Sequence, residues 1–278
     1  MYPFTQHVLL CLGFFLYIPA SVTAVVHLLR RGDLASRSSR ALAALAVLCH
    51  AALLVYRGVA SGGFPILSAM DSLLLFLVSV TILVLVLGTL FRLPAVVSFS
   101  LPVITLITGG SFFLMRTPAE VPESHPLLLA AHVSLTVLSY AAFTLGFVTG
   151  VMYLLQERQL KSRRPGRLIW LLPALEVMET VSARTITAGW IMLTAGIALG
   201  ALGLWLGRAT LPPDAHWYAD PKILGTGLTW AAYTGIVVVQ LLPRFRGRRL
   251  AMVGVLGFGF VIFTYFGAHF LGSGFHRF

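Results

Sequence analysis

The residues of this 278-residue chain best suited to chemistry are its eight histidines. Imidazole changes charge near neutral pH and ligates metals as a neutral ring. They are His7, His27, His50, His125, His132, His216, His269 and His276. Two stand out by their neighbours. His132 lies in HPLLLAAHVSLTVLSYAAF, with Thr136 and Ser139 following so that one helix face carries a polar stripe. His276 closes TYFGAHFLGSGFHRF, with His269 and Tyr265 on the turns before it. Two neutral imidazoles could ligate one iron axially, as haem iron is often held. Each could equally be a neutral ring hydrogen-bonded between helices.

A third feature is the segment LPPDAHWYADPKILGTGLTWAAY, which combines Trp217, Tyr218 and Trp230 with Asp220 and Lys222. Amphipathic aromatics are commonly plain anchors at a membrane boundary, and that is the simpler reading. A flat apolar porphyrin would use the same side chains as a platform, with Lys222 or Arg208 available to its propionates. Other chemistries find little support. Cys11 and Cys49 form no CxxC and no Cys/His zinc spacing, so both read as small packing residues. No GxSxG, P-loop, HExxH or dinucleotide fingerprint occurs, which argues against a soluble-type enzyme.

The elements that must position these residues are membrane helices. With 58% hydrophobic and 10% charged residues and a mean hydropathy of +0.91, the chain has too few polar side chains to cover a soluble domain. Its apolar runs are long enough to cross a hydrocarbon core as helices, and no barrel-like alternation appears. The expected fold is all-α: a single polytopic membrane domain over 1–278 with about eight transmembrane helices. Hydropathy and helix breakers place them near 5–29, 41–60, 66–91, 94–114, 127–155, 185–207, 224–242 and 250–272. No basic residue precedes Arg30, so the first segment reads as a retained helix inserted N-terminus outward.

Charge then orients the bundle. The net charge of +11 reads as topology, with no nucleic-acid partner expected. Fifteen of the twenty lysines and arginines fall after helices 1, 3, 5 and 7, leaving Arg57, Arg116, Arg208, Lys222 and Arg277 on the other side. The positive-inside rule puts the richer side in the cytoplasm and both termini outside. His7, His125, His132, His216, His269 and His276 then belong to the outer side, His50 to mid-membrane and His27 to the cytoplasmic end of the first helix.

The longest interruption, 156–184, begins with the basic run QERQLKSRRPGR, suited to anionic lipid headgroups or a cytoplasmic partner. Leu171, Leu175, Met178 and Val181 follow at helical spacing and predict a short interfacial helix near 168–183. A transporter would want charges along a path through the bilayer. Asp71, with Arg57 across a short loop, is the notable pair, and a local ion pair explains it better.

These pieces resemble the CcsA/CcmC/HemX group of haem-handling cytochrome c assembly membrane proteins. Trp217, Asp220, Pro221 and Lys222 match its tryptophan-rich "WWD" loop, and Thr229-Trp230 falls at the expected distance after the lysine. HVSLTVLSYAAF, LLPALEVMETVSARTITAGWIMLTAGIALG and the closing RGRRLAMVGVLGFGFVIFTYFGAHFLGSGFH are similar to the family's later segments. Ala219 and Ile223 depart from the loop, and an aliphatic residue near Val238 replaces a histidine expected in helix 7. That degeneracy is more typical of the HemX and YpjD branches. The resemblance implies haem b bound at the outer face of a bacterial cytoplasmic membrane. His132 and His276 are its implied axial ligands, with Trp217, Asp220, Lys222, Trp230 and His269 beside it. It implies a protein that presents haem to other cytochrome c assembly subunits, as an accessory to a haem lyase or synthase and not an enzyme on its own. A regulatory or scaffolding membrane protein with a vestigial haem site is the alternative, and a transporter the third.

Overall fold

Helix-forming apolar runs are separated here by short breakers, and the observed elements follow those breakers closely. The computed structural model describes residues 2–30, 32–61, 68–111, 126–162, 171–208, 218, 220–242 and 245–264. Among them are eight helices and no strand: α1 (Tyr2–Arg30), α2 (Asp33–Ser61), α3 (Ala69–Thr89), α4 (Pro94–Ser111), α5 (Pro126–Lys161), α6 (Leu175–Leu206), α7 (Pro221–Gln240) and α8 (Arg248–Ile262). Six are long and apolar enough to cross a membrane: α1, α2, α3, α5, α6 and α7. The apolar stretch of α4, Pro94–Gly110, is shorter, and α8 is described over 15 residues. This is a multi-pass all-α membrane protein.

Local chemistry explains the ends. Ser68 caps α3, its hydroxyl accepting from Asp71 N while the Asp71 carboxylate accepts from Ser68 N at 3.0 Å. Pro94 opens α4, and Asp220-Pro221 opens α7, since proline's missing N–H is harmless in the first turn. Gly247 precedes α8 with φ +67°, a left-handed conformation that suits glycine. A Cβ there would also stand 2.8 Å from the Tyr153 hydroxyl. The Gly247 amide donates to Glu179 Oε1 at 3.0 Å, joining the starts of α6 and α8.

Helices α1 to α4 pack on one another, as do α5 to α8, and α5 joins the two groups by lying against α3 and α4. One buried cluster runs from Tyr17, Leu77 and Leu101 to Phe143, Ile186 and Tyr233. Polar cross-links lie within it: Tyr17 Oη to Thr81 Oγ1 at 2.8 Å and Ser21 Oγ to Thr105 Oγ1 at 2.6 Å.

Three boundaries differ from expectation, and one is the end of α5, which runs on through QERQLK to Lys161 and does not stop near 155. Helix α2 starts at Asp33 and not near 41, because nothing after Gly32 interrupts DLASRSSRALAAL and Asp33 favours the positive end of the helix dipole. The predicted interfacial helix near 168–183 does not stand apart from the following span. Residues 163–170 lie outside the described set, but from Leu175 to Leu206 the chain is one helix. ETVSARTITA contains neither glycine nor proline. Met178, Ser182, Ile186 and Gly189 form one buried stripe straight across the expected break. The Ser182 hydroxyl donates to the Gly146 carbonyl of α5 at 3.2 Å, tying the stripe to its neighbour. At 36 and 32 residues, α5 and α6 span about 54 and 48 Å, well beyond a hydrocarbon core of about 30 Å. Each is therefore longer than the core is thick.

Candidate functional site

Of the two expected iron ligands, His132 on α5 is the one among the described residues. His132 lies about two turns from the start of α5, half-buried against α6. Its Nδ1 is 2.6 Å from the Gly196 carbonyl oxygen. A carbonyl only accepts, so Nδ1 carries the proton and donates. The lone pair of a neutral ring is then on Nε2. The ring fits because α6 has no side chain where it lies. A Cβ on Gly200 would fall 2.6 Å from His132 Cε1 and 2.7 Å from Nδ1. A Cβ on Gly196 would fall 2.8 Å from Thr136 Oγ1. The polar stripe on α5 is thus turned toward α6. Its hydroxyls serve their own helix, Thr136 donating to the His132 carbonyl at 2.9 Å and Ser139 to the Thr136 carbonyl at 2.6 Å.

Asp220 and Lys222 sit at the start of α7. Asp220 is buried and is the helix N-cap, its Oδ1 accepting from the Lys222 amide at 2.8 Å, while Lys222 is half-buried. Local capping chemistry therefore accounts for the Asp-Pro-Lys sequence at this place. Tyr218 is exposed, and the Arg208 guanidinium lies 4.9 Å from the centre of the Trp205 ring at the end of α6.

Thr229 and Trp230 wedge α7 between its neighbours. The Thr229 hydroxyl meets Thr264 Oγ1 at 2.8 Å on the α8 side, and the Trp230 indole donates to Thr194 Oγ1 of α6 at 2.9 Å. The reverse contact is also made, with Trp190 Nε1 donating to Thr234 Oγ1 at 2.8 Å. Each threonine in turn donates to the carbonyl of the tryptophan one turn before it, at 2.8 Å. This reciprocal clasp escaped sequence reading, although W-x-x-x-T occurs at both 190–194 and 230–234. His132 and Trp230 both rest on α6, at Gly196 and Thr194, so α6 is their common frame.

Trp217, His269 and His276 lie outside the described residues, as do His125 and His216. The remaining histidines are elsewhere. His50 is fully buried in the α1–α4 group, its ring 5.4 Å from that of Tyr17 and tight against Gly13. The His27 Nδ1 lies 3.3 Å from the Gly32 carbonyl at the α1–α2 turn, and His7 is exposed. Arg57 and Asp71 do pair. The remaining donors of Arg57 reach Gln6 Oε1 at 2.9 Å and Ser68 Oγ at 3.2 Å, which fixes the guanidinium as a structural tie among α1, α2 and α3.

Comparison with known proteins matches residues 66–276 to the family described as Cytochrome C assembly protein. The chain belongs to that family. It is 30% identical over 268 residues to the cytochrome c biogenesis protein CcsA of Synechococcus sp. (strain CC9902), covering 86% of each chain. It is 29% identical over 277 residues to the CcsA of Thermosynechococcus vestitus, covering 84% of this chain and 85% of that one. Against the CcsA of Prochlorococcus marinus (strain NATL2A) the identity is 28% over 293 residues, with 94% and 89% covered. The family match takes in α3 to α8, and so includes His132, the Trp217–Lys222 segment and His276.

Proposed function

We propose that this family member binds haem b at the outer face of a bacterial cytoplasmic membrane and presents it during cytochrome c assembly, with His132 as one axial ligand. The observation that carries the reading is the hydrogen bond from His132 Nδ1 to the Gly196 carbonyl, which leaves Nε2 as the basic nitrogen. Metal-bound histidines characteristically donate their other N–H to such an acceptor. The residues present therefore fit a haem iron at this place. His276 is proposed as the second axial ligand, with Trp217, His269 and Trp230 lining the porphyrin and Lys222 and Arg208 serving its propionates. Asp220 would hold the loop to α7 by capping it. Haem would supply the iron porphyrin that apocytochrome receives, and other assembly subunits would supply the attachment chemistry. The outward orientation rests on the fifteen basic residues on the opposite side.

Purified protein is expected to show a Soret band, or to develop one on reconstitution with haem, and to lose most of it in His132→Ala and His276→Ala. No spectral shift with excess haem would refute the reading.

A second reading is favoured by the loop itself, where Ala219 and Ile223 depart from the family's pattern as in its HemX- and YpjD-like members. Here the protein is a regulatory scaffold that meets a partner through the end of α5 and the start of α6. Glu157 pairs there with Lys161 at 2.6 Å and with Arg248 at 3.7 Å. Under that reading cytochrome c assembly survives the histidine substitutions and fails when residues 156–174 are shortened.

A further inference from the structure

The most extensive helix–helix contact among the described residues is the antiparallel seam of α5 and α6. On the α6 side four glycines face α5: Gly189 under Phe143, Gly196 under Thr136, Gly200 under His132 and Gly203 under Leu128. Three of these contacts involve only packing. The one at Gly200 involves an imidazole whose nitrogen is also bonded to the Gly196 carbonyl one turn away.

We propose that Gly200, together with the Gly196 carbonyl, is the positioning element for His132, holding its ring as the Nδ1–H tautomer so that Nε2 alone is presented for coordination. This rests on the haem reading for its purpose, although the tautomer itself does not. Two constraints act at once. The hydrogen bond selects which nitrogen keeps its proton, and the notch limits rotation of the ring about its χ angles. A ligand held in one tautomer and one orientation binds a metal without first being reorganised, which is why outer partners of metal-binding histidines matter to affinity. A Cβ at position 200 would overlap Cε1 and Nδ1, the atoms that make and flank the bond, and would push the ring off the Gly196 carbonyl. At position 203 a Cβ would stand 3.4 Å from Leu128 Cδ2, a contact that a leucine rotamer accommodates.

The test uses the full chain in detergent or nanodiscs and has two arms. The first needs neither haem nor a substitution at Gly200. Nitrogen-15 spectra of histidine-labelled protein near pH 8, assigned by difference from His132→Ala, should show His132 as a single Nδ1–H tautomer. A tautomer mixture, or Nε2–H, overturns the proposal. The second arm titrates haem into wild type, Gly200→Ala, Gly203→Ala and Gly189→Ala. Gly200→Ala should lose roughly 10- to 100-fold in haem affinity and shift its Soret band from the wild-type position, with added imidazole restoring the wild-type spectrum. Gly203→Ala should match wild type. Gly189→Ala, which disturbs the same seam away from the ring, should keep the wild-type spectrum in whatever fraction folds. An unchanged spectrum and affinity in Gly200→Ala overturns the proposal. A wild-type protein that takes up no haem refutes the functional reading instead, and the nitrogen-15 arm still decides the tautomer.

Discussion

Replacing glycine by alanine at two positions should change stability in opposite directions, for reasons visible in the packing. At Gly189 on α6 the added Cβ would lie 2.7 Å and 2.8 Å from two ring carbons of Phe143 and 3.0 Å from the Ser139 carbonyl oxygen. Carbon atoms in contact prefer about 3.5–4.0 Å, so the overlap approaches 1 Å. Phe143 cannot retreat. It is fully buried, and its ring is stacked on Tyr233 with 3.5 Å between centroids and an 18° tilt. The Ser139 carbonyl is helix backbone and yields only if α5 moves. Overpacking of this kind costs about 1–3 kcal/mol, and both neighbours being rigid favours the upper end. Alanine's better helix propensity offsets about 1 kcal/mol, leaving a net loss near 2 kcal/mol. At Gly235 on α7 the position is exposed and nothing lies within 4 Å of the built Cβ. Only the propensity gain of about 0.5–1 kcal/mol remains there. The two variants should therefore differ by about 3 kcal/mol, more than 100-fold in the folded-to-unfolded ratio. Reversible unfolding in mixed micelles with rising SDS fraction, followed by circular dichroism, measures the difference. Equal stability of the two variants would show that the α5–α6 seam is not packed as closely as described.

Two further perturbations test the frame around the site. Asp71 is buried and joins Arg57, Ser68 and the start of α3, so Asp71→Ala should cost about 2–3 kcal/mol in the same assay. That is below the loss for a fully buried pair because the Arg57 side chain is 18% exposed, and Asp71→Ala with Arg57→Ala should recover part of it; strictly additive losses would refute the coupling. For topology, after removal of Cys11 and Cys49, a membrane-impermeant maleimide should label Tyr218→Cys in intact cells but Ser162→Cys only after permeabilisation, both positions being exposed. The reverse pattern would overturn the outward placement of the site.

Much of the fold was legible because two signals in the chain are independent of one another. Apolar run length marked eight helices without depending on exact boundaries, while the placement of arginine and lysine is a separate expectation of sidedness that the labelling experiment tests. What stayed hidden is pairwise. The span that begins α6 was expected to start near 185, because the apolar stripe of Leu171, Leu175, Met178 and Val181 reads as a separate helix lying in the interface. In the structure Met178 and Ser182 are buried against neighbouring helices, and packing, not polarity, decides the start. Hydropathy averages over a helix and cannot register which face meets a partner.

The same distinction separates the parts of the site. His132 was visible because its residue type carries chemistry, and its family resemblance rests on the string around it. The groups that decide what it can do are a backbone carbonyl and the missing side chain of Gly200, and neither has a chemical type to read. The sequence alone does not single out any glycine of α6, yet Gly200 is the notch against which the ring lies. Trp230 shows the converse. Its type suggested a membrane-boundary anchor or a porphyrin platform, whereas its indole nitrogen is engaged with Thr194 and mirrored by Trp190 on Thr234. The aromatic face can still line a ligand, but the edge is committed to holding α7 on α6. Because the same helix seats His132 and clasps Trp230, displacing α6 should move both together. A change at Gly200 is thus expected to alter the orientation of His132 while the clasp stays intact. Loss of the clasp, by contrast, should loosen α7 without changing the tautomer of His132.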